Sequence, residues 1–129
     1  MTATLMSIAL GGASGSVLRA LVFRVVDGNS SAGALPINTL LVNVLGSLVL
    51  GLLLRPAGEP SPGGVWYPGL TLGLCGGFTT FSTFSADMLV LLQRGEAGRA
   101  GLYALLSVTL SLAAVAAGYS LARALRPGA

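Results

Sequence analysis

Four stretches free of charged residues, 1–18, 28–54, 60–86 and 100–122, occupy most of the 129-residue chain. Each meets or exceeds the roughly 17–25 apolar residues with which a helix crosses a bilayer's hydrocarbon. The pattern predicts an all-α integral membrane protein, one domain over residues 1–129 with four transmembrane helices. Span one is expected from about Thr4 to Val26, with a turn at Asp27-Gly28-Asn29-Ser30-Ser31. Span two is expected from about Leu35 to Leu54, with Pro36 in its first turn, where a missing N–H is harmless. A Pro/Gly-rich loop, Arg55 to Gly64, leads to span three, which starts near Val65, sets Trp66 and Tyr67 at the interface and reaches Gln93. A polar turn from Arg94 to Gly101 precedes span four, about Leu102 to Leu121.

Span three is longer than a bilayer is thick at about 1.5 Å per residue. A break near Gly76-Gly77 accounts for the excess. Around it, Cys-Gly-Gly-Phe-Thr-Thr-Phe-Ser-Thr-Phe-Ser at 75–85 sets five hydroxyls and two adjacent glycines at bilayer depth. Irregular backbone is tolerated at that depth only where protein buries it or it lines a water-filled path. Unwinding over Gly76 to Thr80 predicts two half-helices whose free carbonyls and N–H groups can bind ions. Beyond the break, Phe81 and Phe84 share a face, interleaved with Ser82, Thr83 and Ser85. Phenylalanines in a span usually face lipid or core. In a pore their ring edges, which carry partial positive charge, can instead meet a small anion.

Other polar positions fall in register. Thr39 and Asn43 lie four apart on span two, with Gly46 next on the stripe. Asn43 either links helices by hydrogen bonds or donates its amide N–H groups to something anionic. On span four, Tyr103, Ser107 and Ser111 fall at i, i+4 and i+8 and form one hydroxyl stripe. A hydroxyl can also return to the carbonyl one turn back, the plainer account of any single one. Gly11 with Gly15, and Gly69, Gly73 and Gly77, repeat at the spacing that lets helix backbones approach closely. Arg19 and Asp87 are the ionisable groups well inside spans, and intramembrane charge marks function by default. Arg19 either snorkels to the interface or pairs with Asp87.

Composition narrows the chemistry. The chain is 53% hydrophobic and 9% charged, against about 25% charged in soluble domains, and its mean hydropathy is +0.85. With no histidine and one cysteine, a His/Cys metal site, a disulfide framework and a Ser–His hydrolase are all disfavoured, and no enzyme is expected. Cys75 reads as a small packing residue. The net charge of +3 comes from scattered arginines at span ends, which suits headgroup anchoring rather than nucleic acid. No charged region precedes the first apolar stretch, so no signal peptide is expected. Four spans put Arg55, Arg123 and Arg126 on one side and Arg24, Arg94 and Arg99 on the other. This balance leaves the positive-inside rule nothing to act on, and the simplest consequence is insertion in both orientations and an antiparallel homodimer. The alternative is a fixed orientation set by something the count misses.

Gly-Gly-Phe-Thr-Thr-Phe-Ser-Thr-Phe-Ser at 76–85, Thr39-Leu-Leu-Val-Asn43 with Gly46, and Gly11-Gly12-Ala-Ser-Gly15 leading to Arg19 together resemble the Fluc/CrcB fluoride channels. The likeness runs through all four spans in order. It implies a dual-topology antiparallel homodimer with two pores in a bacterial inner (plasma) membrane, passing fluoride passively and excluding chloride. By motif, Asn43, Phe81 and Phe84 would line the fluoride path, and Thr39, Ser82, Thr83, Tyr103, Ser107 and Ser111 would add polar contacts. The resemblance also implies a structural sodium ion (Na+) at the dimer centre, held by backbone carbonyls at the break; Gly76 and Thr79 match those positions. Arg19, Asp87 and Gly77 would be structural or interface residues. The chain departs from the family pattern at Asp87, where Glu is common, at Asn38, where Gly is usual, and at Ser16, where Ala is common.

Two other classes compete. A coupled exporter of the small multidrug resistance kind depends on a Glu in span one, and this span one has no acid. A non-transporting membrane subunit would use the same polar residues only to join helices.

Overall fold

The computed structural model describes residues 1–27, 35–55 and 64–125. The expected turn at 28–31, most of the loop at 56–63 and Arg126 lie outside the described residues. The described chain is helical: α1 Thr2–Asp27, α2 Ile37–Leu53, α3 Trp66–Pro68, a π-helical segment Gly69–Cys75, α4 Gly76–Phe78, α5 Phe81–Gln93 and α6 Ala97–Ala124. By length and apolarity, Thr2–Val26, Trp66–Gln93 and Ala97–Ala124 can each cross a membrane. The fourth helix, α2, is apolar but has 17 residues, about 25 Å of helix. Leu10, Val25, Leu72 and Leu112 are more than 60% exposed, as lipid-facing side chains are. This is a multi-pass membrane protein.

Several boundaries differ from expectation. Pro36 does not sit inside the first turn of α2 but just before it, its carbonyl accepting the first helical bond from Leu40 N–H at 3.2 Å. The polar turn after α5 is only Arg94 to Glu96. Gly95 adopts φ +74°, its N–H reaches Leu92 O and Glu96 N–H reaches Leu91 O, both at 3.0 Å. This pair of bonds closes a helix in three residues. Ala97 to Gly101 therefore belong to α6, where Ala100, 1% exposed, packs with Leu91 and Tyr103.

The larger difference is at the break. Gly76 and Gly77 are helical, and the chain turns extended at Thr79 (φ −80°, ψ 161°) and Thr80 (φ −153°, ψ 117°). The glycines serve close packing instead. A Cβ on Gly77 would stand 3.0 Å from Gly12 Cα, one on Gly15 would stand 2.7 Å from Phe78 N, and one on Gly11 would stand 2.9 Å from Leu74 N. Thus α1 is laid backbone to backbone along the π-helical segment and α4, as the glycine spacing predicts. A second seam joins α2 to α6: a Cβ on Gly51 would stand 2.9 Å from Tyr119 N, and one on Gly118 would stand 3.0 Å from Leu52 N. This seam escapes the sequence because each helix contributes one glycine, with no repeat to mark it. At the start of span three, Ser7 Oγ donates to Val65 O at 2.6 Å, and the Trp66 and Tyr67 rings meet edge to face at 5.8 Å.

Gly118→Leu should therefore destabilise the protein by at least about 1–3 kcal/mol, because the obstruction is backbone that cannot yield. Gly101→Ala, where nothing lies within 4 Å, should be neutral or stabilise by up to about 1 kcal/mol through helix propensity. Thermal unfolding of the two variants in detergent, beside the parent, checks both.

Candidate functional site

At the break, every exposed peptide group needs a partner, since lipid offers none. Thr80 turns away from α4 and exchanges two hydrogen bonds with one side chain. Its N–H donates to Asn43 Oδ1 at 2.8 Å, and its carbonyl accepts from Asn43 Nδ2 at 3.2 Å. Thr80 also caps α5, its Oγ1 accepting from Thr83 N–H at 3.2 Å and lying 3.1 Å from both Ser82 Oγ and Thr83 Oγ1. Thr79 sends its N–H and its hydroxyl to Cys75 O, at 3.0 and 2.9 Å. From α1, Arg19 Nη1 donates to Thr79 O at 3.2 Å, and Ser16 Oγ makes a long 3.5 Å bond to Gly77 O. Because Thr80 N–H goes to Asn43, the carbonyl of Gly76 loses the partner that a continuing helix would give it.

Beside the break lies an open-sided cavity of about 530 Å³. Asn43, Gly46, Ser47 and Leu50 of α2 form one wall, and Ser107, Val108, Ser111, Leu112 and Val115 of α6 another. Thr71, Cys75, Gly76, Thr79 and Thr80 come from the break side, and Phe81 and Phe84 complete the lining. No lining residue carries a charge. Ser107 Oγ is buried and makes no hydrogen bond of good geometry among the described residues, its nearest polar neighbour being the Tyr103 phenol. Phe81 is 79% exposed, and its ring lies 5.6 Å from that of Phe84, which in turn lies 5.3 Å from that of Tyr103.

Of the residues expected on an ion path, the cavity brings together Asn43, Phe81, Phe84, Ser107 and Ser111, with Gly76 and Thr79 of the expected cation site at its edge. Thr39, Ser82, Thr83 and Tyr103 are not among its walls. Thr39 is fully buried, its N–H donating to Asn38 Oδ1 at 2.7 Å, and Ser82 and Thr83 belong to the α5 cap. Tyr103, 1% exposed, donates its phenol to Asp87 Oδ2 at 3.1 Å and has the Thr39 and Ser107 hydroxyls beside it. Of the two alternatives for Arg19, the pair with Asp87 does not form: the guanidinium donates to Thr79 O, and the carboxylate accepts from the Tyr103 phenol. Thr80 is a site residue that the motifs do not single out. A hydroxyl residue immediately ahead of a helical run is the N-cap preference that points to it.

The residues suit a hard monovalent cation such as sodium. Gly76 offers a released carbonyl at the end of the helical run through α4, where the helix dipole is negative, and a Cβ there would meet nothing within 4 Å. Thr79 O has a second lone pair beyond the one facing Arg19. Carbonyl oxygens of this kind replace a hydration shell without any acid. Two carbonyls from one chain are an incomplete shell, so the remaining ligands would come from outside it.

Fold and site define a small multi-pass helical membrane protein whose third span is interrupted beside a polar, uncharged cavity. The chain belongs to the family described as "CrcB-like protein, Camphor Resistance (CrcB)", whose profile matches residues 6–119. It is 48% identical over 118 residues to "Fluoride-specific ion channel FluC" of Thermus thermophilus, covering 92% of this chain and 94% of that one. A protein so named from Photobacterium profundum is 44% identical over 115 residues, covering 88% and 90% of the two chains. Another from Cereibacter sphaeroides is 42% identical over 123 residues, covering 95% and 97%.

If Asn43 closes the break, Asn43→Leu should cost about 1–3 kcal/mol for each of the two peptide groups it orphans. Asn43→Asp, which still accepts from Thr80 N–H but cannot donate to Thr80 O, should fall between Leu and the parent. Thermal unfolding of the three proteins gives the order.

Proposed function

We propose that this protein is a fluoride-selective channel that lets fluoride leave the cell passively, lowering cytoplasmic fluoride and protecting against its toxicity. The observation that carries the proposal is the make-up of the cavity: neutral donors from Asn43, Ser107 and Ser111 facing the Phe81 and Phe84 rings, with no charged side chain in the wall. Family membership and relatives named for fluoride over most of their length support the same reading.

Fluoride is small and strongly hydrated, so its path must replace water with close donors. Asn43 has two amide N–H groups and commits one to Thr80 O, leaving the other for an anion. Ser107 contributes a hydroxyl that sits against the Tyr103 phenol without a hydrogen bond of good geometry, and can turn to an anion in the cavity. The ring edges of Phe81 and Phe84 add weak positive potential without a fixed cation. A lysine or arginine in the wall would hold the anion too tightly, whereas conduction needs binding weak enough to release it. Fluoride enters cells as uncharged HF and dissociates inside; the negative interior then drives the anion out with about 2.3 kcal/mol per 100 mV.

The functional unit in this proposal is an antiparallel homodimer in the bacterial inner membrane, with two pores and one sodium ion at its centre. The open side of the cavity, the 79% exposure of Phe81 and the incomplete carbonyl shell at Gly76 and Thr79 support a second copy of the chain as the missing wall. In that dimer the single four-helix domain of each copy contributes the same groups by two-fold symmetry. Thr39, Ser82, Thr83 and Tyr103 extend the polar path beyond the cavity wall, while Arg19, Gly77 and Asp87 hold its frame.

Purified protein in liposomes, with valinomycin and a potassium gradient setting the voltage, tests this directly. Fluoride should leave rapidly and with the sign of the voltage while chloride stays, and Phe81→Ile should abolish the flux. Folded protein that leaves vesicles tight to fluoride, or flux that requires a proton gradient, would refute the proposal in favour of a subunit or a coupled exporter respectively.

A further inference from the structure

The position of Arg19 calls for explanation. It lies eight residues before the end of α1, about 12 Å along the helix, within the apolar segment long enough to cross a membrane. An arginine at that depth is costly unless a partner satisfies it. Its partner is no acid but the Thr79 carbonyl, at 3.2 Å. The same face of α1 carries Gly12, packed on Gly77, and Ser16, which reaches Gly77 O at 3.5 Å. Three successive groups of α1 thus cover the carbonyl end of the break, and the last of them is a permanent positive charge.

Resting on the sodium site of the proposed function, we propose that Arg19 is a positioning residue that sets the affinity of that site, acting as a resident cation on one of its two ligand oxygens. In the single chain the guanidinium polarises Thr79 O and opposes the negative end of the helical run through α4. It thereby keeps the break intact before any ion is bound. A sodium ion held by the Gly76 and Thr79 carbonyls would share the second oxygen with an existing positive charge. Two like charges a few ångströms apart in a poorly screened interior repel strongly. Arg19 therefore holds the site at a lower affinity than the bare carbonyls would give, so that the ion completes the assembly without being needed to fold each chain.

The charge and the hydrogen bond can be separated. Thermal unfolding of purified full-length protein is followed while sodium chloride replaces N-methylglucamine chloride at constant ionic strength. Unfolding temperature should rise with sodium by mass action. In Arg19→Gln, which removes the charge and leaves a shorter amide donor, the sodium concentration at half-effect should fall at least tenfold, as expected on removing a nearby like charge from a poorly screened interior. Arg19→Lys should stay near the parent. If Arg19→Gln fails to fold, Arg19→Lys carries the test, since a midpoint that falls tenfold while the charge is kept would overturn the inference. A midpoint that stays put or rises in the neutral variant overturns this inference alone, because a purely structural Arg19 would lower the unfolding temperature without improving sodium binding. No sodium response in the parent would overturn the sodium site itself.

Discussion

An interrupted helix at bilayer depth must find a partner for each freed peptide group within the protein, because hydrocarbon supplies none and an orphan costs several kcal/mol. The site is organised around how this chain meets that demand. Thr80 gives both its N–H and its carbonyl to Asn43, Thr79 O receives Arg19, and Gly77 O receives Ser16. The break is thus held from two sides, by α2 through an amide and by α1 through a guanidinium and a hydroxyl. Asn43 is both the link between helices and a wall of the cavity, and the two roles do not compete, since an amide has more donors and acceptors than one peptide group consumes.

The two glycine seams explain why those partners arrive on target. Along the first, α1 is pressed onto the π-helical segment and α4 so closely that Gly11, Gly15, Gly73 and Gly77 leave no space for a side chain. That contact sets the depth at which Arg19 meets Thr79. Along the second, Gly51 and Gly118 lock α2 to α6, so Asn43 on one helix and Ser107 and Ser111 on the other keep a fixed relation across the cavity. Backbone-to-backbone packing is the rigid solution in lipid, where helices gain nothing from hiding apolar side chains that lipid already solvates. The chain is in effect two tightly paired helical units, and the cavity lies where they meet at the break.

What the sequence reveals follows from which physics is local. Long uncharged stretches dictate spans, and five hydroxyls beside two adjacent glycines within 75–85 set that segment apart from an ordinary lipid-facing helix. The Gly11/Gly15 and Gly69/Gly73/Gly77 repeats mark the first seam because one helix must present small residues on one face. The second seam is invisible, as it needs one glycine on each of two helices and the pairing is tertiary. The break itself lies one turn later than the glycines suggest. Glycine is the usual reason for a helix to end, yet here Gly76 and Gly77 stay helical, and the chain opens at Thr79 and Thr80 because Asn43 competes for the Thr80 peptide from outside the segment. The choice of Arg19 between lipid headgroup, Asp87 and a carbonyl is likewise beyond the sequence, since the deciding partner lies 60 positions away.

The position of the break also sets the polarity of the two sides of one interruption. A helical run ends at Phe78 with carbonyls released, and α5 begins at Phe81 with its first N–H groups lacking intrahelical acceptors. The dipoles therefore present a negative end and a positive end two residues apart. On the negative end the chain sets Arg19, and in the proposed assembly a sodium ion beside it. On the positive end it sets Phe81, Phe84 and the Asn43 amide, groups that can accommodate an anion without adding charge of their own. A continuous helix would offer neither end, and a break at the glycines would have left Thr80 helical and Asn43 without its peptide. With the interruption at Thr79 and Thr80, the same few residues carry both parts of the proposed function, the carbonyl edge proposed for the cation and the uncharged wall proposed for the anion.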